Sequence, residues 1–306
     1  MDYYKANPDF ILPKTRREEV INRIKEGLKD LSITRSSLEW GIPFPQDKKH
    51  VFYVWYEALI NYYTATKEKG KEKFWPANLH ILGKDNTWFH TVIWPAMLKS
   101  ANLPLPISTF NHGFLTFNGQ KISKSLGNTI SPITLVEKYS SDSIRYFCLR
   151  HFPFGEDGNF DEQALTDRHN NELANKLGNL VSRVSTLAEK YNLEKTEIIE
   201  SKQTIQNVSN HLKNLAPDKA IDEIFAFVDK LNTIIQDKKP WETKDKKVLY
   251  QIANGIKDAS ILLSPFIPET AEKISKTFNF EISLKQLNEP LKINKIKKSD
   301  ILFKKI

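Results

Sequence analysis

The spacing of apolar residues changes character near Asp161, and that change limits the folds open to this 306-residue chain. Before it, short apolar runs alternate with stretches of helical period. In "PKTRREEVINRIKEGLKDL", Val20, Ile24, Leu28 and Leu31 recur at helical spacing, with Gly27 weakening the middle. "GIPFPQDKKHVFYVWYEALINYY" predicts a strand over Val51 to Trp55 and a helix from about Glu57. "ANLHILGKDN" repeats the plan. A short strand ends at Gly83, and Asp85 is placed to cap a helix carrying Phe89, His90 and Trp94. Pro95 should kink that helix, because it cannot donate to the Thr91 carbonyl. Strand then helix, twice over, points to a parallel-sheet α/β architecture.

Beyond Asp161 the period is helical throughout. Leu173, Leu177, Leu180, Val181, Val184, Leu187 and Tyr191 form one stripe. A second helix carries Ile205, Val208, Leu212 and Leu215. A third carries Ile221, Ile224, Phe225, Val228, Leu231 and Ile235 and ends at "KKPW". A fourth runs from about Val248 to Leu263 and stops at the prolines of "SPFIPET". Such helices with short connections make a bundle. The expected fold class is α/β followed by all-α.

Composition narrows the functional classes. No run of about 18 apolar residues exists, which excludes a membrane-spanning helix. "MDYYKANPDF" lacks the blocks of a signal peptide, so a cytoplasmic location and no membrane partner are expected. The single cysteine rules out a disulfide framework and argues against a zinc site. A formal charge of +8 fits a polyanionic partner, though Lys-rich drift gives the same number.

Four features are open to a chemical reading. "GQKISKSLGN" (119–128) packs two lysines and two serines between glycines with no apolar period. It is either a solvated turn or a mobile cationic loop for an anion. "GKD" at Gly83 to Asp85 is an ordinary strand-to-helix turn, or a place where Gly83 admits a nucleotide and Asp85 accepts from ribose hydroxyls. Trp55, Tyr62, Phe89, His90 and Trp94 have the spacing of core aromatics, and His90 and Trp94 share a helical face. Asn179 and Arg183 sit one turn apart beside the apolar stripe, and Trp241 follows a proline turn. Each is compatible with solvation or packing alone.

Taken in order, "VFYVWYEALINYY", "HILGKDNTWFHTVIWPAML", "FNHGFLTFNGQKISKSLGN", "ANKLGNLVSR" and the terminal "ILFKKI" resemble the methionyl branch of the class I aminoacyl-tRNA synthetases, bacterial type. The resemblance runs along nearly the whole chain. It implies the C-terminal half of a Rossmann-type catalytic domain with the end of a connective region (1–106), a stem-contact segment with the lysine-serine loop (107–160), and a helical anticodon-binding bundle (161–306). It implies ATP, with Mg2+, and L-methionine as substrates and methionine tRNA as partner.

By the same resemblance, Lys121 and Lys124 are the catalytic lysines. Gly83, Asp85, Lys121, Ser123, Lys124 and Ser125 bind ATP. Trp55, Ala58, Leu59, Tyr62, Phe89, His90 and Trp94 line the methionine pocket. Asn179, Arg183 and Trp241 read the anticodon. The chemistry is coherent. Adenylate formation expels pyrophosphate, and flexible ammonium groups stabilise the charge that develops on it. A thioether suits an aromatic wall, and Trp can stack an unpaired base. Asn86 stands where the family usually has an aliphatic residue, which leaves the pocket's edge undetermined. The family's His-Ile-Gly-His element is absent from these 306 residues. The chain is therefore expected to need a missing N-terminal catalytic half, in cis or in trans, and to be inactive alone. The alternatives are a non-catalytic tRNA-binding fragment and a class I synthetase for another aliphatic amino acid.

Overall fold

The computed structural model describes every residue except 118, 123–128, 130 and 294, and of Lys121 the backbone only. It divides into two compact units, Met1–Phe114 and Leu115–Ile306.

The first unit is built on a three-stranded parallel sheet. β1 (Ile11–Leu12) and an edge strand, β5 (His80–Gly83), flank the central β6 (Thr109–His112). Thr109 lies opposite both Ile11 and His80, and Gly83 opposite His112. A separate antiparallel sheet joins β2 (Thr34–Arg35), β3 (Pro43–Phe44) and β4 (Asp47–Phe52) in the order β2-β4-β3. The helices are α1 (Asp2–Ala6), α2 (Lys14–Lys25), α3 (Val54–Ala58), α4 (Asn61–Thr64) and α5 (Trp94–Ser100). α5 is preceded by a wide π-type turn over Phe89–Ile93.

Several local expectations are corrected here. α2 ends at Lys25 because Gly27 takes φ +109°, a left-handed conformation open to glycine, so Leu28 is exposed rather than on an apolar stripe. The strand starts earlier than the apolar run, at Asp47, and α3 begins at Val54 rather than Glu57. Asp85 is not the N-cap; it lies within a 3-10 turn, Lys84–Asn86, that starts after Gly83 with no side-chain cap among the described residues. Pro95 lies inside one continuous helical run, 87–100, and the turn before it widens to π type over Phe89–Ile93, so the expected disturbance takes the form of a bulge where the Thr91 carbonyl loses its donor.

The second unit opens with β7 (Leu115–Phe117), β8 (Gln120–Lys121) and β9 (Gly158–Phe160), in the order β8-β7-β9. β7 and β8 form an antiparallel pair in which Gly119 has φ +74° and donates its N–H to Asn159 Oδ1 at 2.8 Å. Between them and the bundle lie α6 (Pro132–Tyr139), α7 (Ser141–Arg150) and α8 (Glu162–Arg168). A π-type stretch, His169–Gly178, then runs into α9 (Asn179–Tyr191). α10 (Lys202–Lys213), α11 (Pro217–Lys238), α12 (Pro240–Thr243), α13 (Lys246–Leu263) and α14 (Pro268–Phe278) follow.

The predicted stripes of α9, α11 and α13 supply one continuous core. Asp245 starts α13 by accepting from the amides of Lys247 and Val248, both at 3.0 Å. α11 and α13 approach closely at Gly255, where an added Cβ would lie 2.5 Å from Leu231 Cδ2. One expectation fails. Leu215 leaves α10 at φ +54°, so α10 buries mainly Val208. The prolines of "SPFIPET" do end α13, but Pro268 also sits in the first turn of α14, which the sequence analysis did not anticipate.

The final segment is extended and held by side chains. Asn254 Oδ1 accepts from the Leu291 amide (2.6 Å), Ser185 Oγ from the Ser299 amide (3.0 Å), and His169 Nε2 donates to the Lys304 carbonyl (2.7 Å). Lys257, 1% exposed in mid-α13, donates to the carbonyls of Gln286 and Glu289 and pairs with Asp258 Oδ1 at 3.1 Å. Asp258 also accepts from Ser201 Oγ (2.6 Å) and the Asn288 amide (3.1 Å).

Candidate functional site

The five aromatic candidates of the first unit form one cluster. The helical connection after β4 supplies Trp55 and Tyr62, and the π-type turn and α5 supply Phe89, His90 and Trp94. Trp55 and Phe89 stack with ring centres 5.2 Å apart and planes at 18°. Tyr62 meets His90 edge-on at 5.6 Å and lies 6.4 Å from Trp94. Leu59 is buried with Trp94, and Ala58 is half-buried on the preceding turn.

One hydrogen-bond chain fixes the polar edge of this cluster. His90 Nδ1 lies 3.0 Å from the Asn86 carbonyl, which can only accept, so Nδ1 carries the hydrogen. Nε2 of the neutral ring then accepts from the Tyr62 hydroxyl at 2.9 Å. Burial lowers the His90 pKa, with the Asn86 bond opposing, and burial raises that of Tyr62. Asn86 thus enters the site through its backbone carbonyl, a role indifferent to its side chain.

Two further members were not singled out from the sequence, His80 and Trp75. His80 on β5 stands edge-on to Tyr62 at 4.5 Å and 6.0 Å from His90. Trp75 meets Trp94 edge-on at 6.0 Å. The only signal for His80 was its place three residues before Gly83 on a predicted strand. The indole N–H groups of Trp75 and Trp94 and His80 Nε2 are buried without a hydrogen-bond partner among the described residues. Burial, with the nearby His90, pushes His80 from 6.5 down to about 4.

That depression has a stability consequence with a definite sign. The unfolded chain takes up a proton near pH 6.5 that folded His80 refuses until about pH 4. The unfolded state therefore binds more protons in that window, and stability falls as the pH drops through it, by up to about 3 kcal/mol. Urea unfolding of the first unit's signal at pH 7, 6 and 5 should show this loss, and His80→Phe should flatten it. An equally steep loss in the variant would assign the effect elsewhere.

Next to the cluster, Gly83 ends β5. A Cβ there would lie 2.8 Å from Asp85 Oδ1, the tip of an exposed side chain, so a larger residue would make this carboxylate move from its place over the strand end. In the second unit, Lys121 pairs through its backbone with Thr116 on β7. Ser123, Lys124 and Ser125 lie outside the described residues. No group of three or more His, Cys, Asp or Glu side chains among the described residues could hold a metal ion. No described helix is long and apolar enough to cross a membrane.

On the bundle, the Arg183 guanidinium sits 4.8 Å above the Trp241 ring, which joins a residue of α9 to one of α12. Asn179 is exposed one turn earlier on α9.

Comparison with known proteins gives this geometry a family. The profile "tRNA synthetases class I (M)" matches residues 1–185, and "Anticodon-binding domain of tRNA ligase" matches 198–304. The chain belongs to the class I (M) tRNA synthetases. The methionine–tRNA ligase of Caldanaerobacter subterraneus subsp. tengcongensis is 41% identical, over all of this chain and 53% of that protein. That of Nostoc sp. is 40% identical over 93% of this chain and 59% of its own length. Mycobacterium tuberculosis methionyl-tRNA synthetase bound by methionyl-adenylate superposes with a TM-score of 0.91 at 34% identity, covering 99% of this chain and 66% of that one. The chain thus spans little more than half the length of the curated relatives it matches. Within this synthetase family assignment, Asn179 and Arg183 fall in the synthetase stretch and Trp241 in the anticodon-binding stretch.

Proposed function

We propose that these residues act as the C-terminal part of a methionine–tRNA ligase, which activates methionine with ATP and transfers it to methionine tRNA. The observation that carries this reading is the aromatic cluster of Trp55, Tyr62, Phe89, His90 and Trp94, tied by the Tyr62–His90–Asn86 chain beside Gly83. A thioether gains from ring edges, and the cluster offers several with one oriented hydroxyl. Ala58 and Leu59 complete that wall. Pockets for branched aliphatic side chains need no such lining.

In this reading Gly83 and Asp85 receive the ribose. Lys121, Ser123, Lys124 and Ser125 hold the phosphates of ATP, which enters with Mg2+. Lys124, with Lys121, stabilises the charge on departing pyrophosphate. Asn179 and Arg183 hydrogen-bond anticodon bases, and Trp241 stacks one. The reading divides the chain into a catalytic part (1–106), a stem-contact part (107–160) and an anticodon-binding bundle (161–306), working in the cytoplasm.

An N-terminal catalytic half is the remaining partner. A parallel sheet is normally covered on both faces, yet Ile81 on β5 is 58% exposed and Trp40, in the β2–β3 connection, 91%. Purified alone, the 306 residues should form no methionyl-adenylate, since one wall of a two-walled ATP site cannot hold the reacting groups in line. Supplying the N-terminal half should restore methionine-dependent pyrophosphate exchange. Adenylate formation by the isolated chain, free of host synthetase, would refute this division of labour.

A further inference from the structure

The function above leaves one charged feature of the bundle unused. Along α14, Lys273 and Lys276 are three residues apart and share a face. Facing them, the extended C-terminal segment presents Lys295, Lys297 and Lys298. The two walls enclose a groove of about 480 Å³. Asn279, the left-handed residue that ends α14, ties them together by donating from Nδ2 to the Lys295 carbonyl at 3.3 Å. Asp300 is the one acid lining it among the described residues, and Glu272 nearby is already engaged with Lys276 at 2.9 Å. Lys273, Lys295, Lys297 and Lys298 have no ion-pair partner among the described residues. These four lysines, beside a fifth that is held by Glu272, leave an excess of positive charge along the groove, and an anion there would relieve their mutual repulsion.

We propose that this groove is a track for the phosphodiester backbone of an RNA. The cations are all lysines, point charges on flexible stems, with no guanidinium fork to clamp a single phosphate from two sides. The α14 end that borders the groove is its C-terminus, whose partial negative charge disfavours a compact anion seated on backbone groups. Charges spread along a polymer avoid both problems, because each phosphate can lie beside one ammonium. No aromatic side chain lines the groove, so it offers nothing on which a base could stack. It contributes affinity without sequence preference.

Its position supports a partner shared with the anticodon candidates. The Ser299 amide bonds Ser185 Oγ, and the Lys298 amide bonds Glu189 Oε1 at 3.2 Å, so α9 carries one wall of the groove. Asn179 and Ser185 are about 9 Å apart along that helix and about a third of a turn apart around it. One RNA can therefore touch both. The identity of that RNA as methionine tRNA rests on the function proposed above; the groove's preference for a phosphate backbone does not.

The test is a titration of the full chain with two stem-loop RNAs, one with a CAU loop and one with an altered loop, at several salt concentrations. Lys273→Ala/Lys297→Ala should weaken both RNAs by the same factor, about tenfold at low salt. It should also reduce the slope of log K against log salt by roughly 1–2. Lys273→Arg/Lys297→Arg should keep both, and Lys69→Ala/Lys230→Ala, which removes the same charge elsewhere, should change little. An unchanged slope in the alanine variant overturns the proposal, as does an equal loss in the Lys69/Lys230 control. So does a glutamate-rich peptide of matching charge that binds the groove as tightly as RNA. If the unsubstituted chain shows no preference for the CAU loop, the anticodon reading fails while the groove result stands.

Discussion

Lys257→Met is expected to destabilise the helical bundle by about 3–5 kcal/mol, a large fraction of the stability of a domain this size. The ammonium group is 1% exposed and serves three oxygens, those of Gln286, Glu289 and Asp258. Methionine fills the same volume but donates nothing. Two carbonyls and a carboxylate then lose their donor, and the Asp258 charge is buried without its counterion. The change should appear as a lower urea midpoint for the far-ultraviolet signal. Lys257→Met/Asp258→Asn should recover part of the loss, because asparagine can still accept from Ser201 and the Asn288 amide without carrying a charge. A single variant within 1 kcal/mol of the parent (about a fivefold change in the folding constant) would show that solvent reaches this lysine.

His90→Ala is expected to have the largest effect on substrate use. In an enzyme completed with its N-terminal half, the methionine KM should rise by about 10- to 200-fold. The ATP KM should stay within about twofold, since in the proposed reading the lost wall touches only the amino-acid side chain. The reason is geometric. His90 orients the Tyr62 hydroxyl at 2.9 Å and is itself held by the Asn86 carbonyl, so its removal frees that hydroxyl from its position in the cluster. His90 is preferred over Trp94 as the probe, because Trp94 is 2% exposed in a packed cluster and its truncation would unfold the neighbourhood first. Parallel increases in both KM values would remove the cluster from methionine binding.

The two halves of the chain differ in how much the sequence discloses. In α11, a helix of 22 residues, Ile221, Ile224, Val228, Leu231 and Ile235 repeat at one period from 221 to 235, and a stripe that long admits only a buried helix face. The first unit has no element of comparable length. β4 begins in "DKKH", where charged side chains sit on a solvated hairpin, and no apolar alternation marks its start. Pro268 was legible as the end of one helix but serves equally as the start of another, since proline suits both boundaries. Of the pocket, the aromatic residues could be named from the sequence, and the structure brings them together. His80 was hidden because one histidine on a short strand has no period to betray its direction. Lys257 was hidden for the opposite reason: on a helix of mixed composition a lysine is assumed to face water.

On the anticodon reading proposed above, the placement of the Arg183 guanidinium over Trp241 would decide how a nucleobase arrives. One face of the indole is covered by the guanidinium and the half-buried ring packs against the bundle core, so on that reading a base would stack on the part of the opposite face that stays exposed. The arriving base would complete a sandwich of cation, indole and base. The positive charge behind the ring withdraws electron density from it and favours an electron-rich partner in front. The arginine is also held in advance by the ring, so little side-chain freedom remains to be lost on association. On the same anticodon reading, the surface would be ready-made, and the rearrangement that limits recognition would fall to the anticodon loop, which must turn its bases outward.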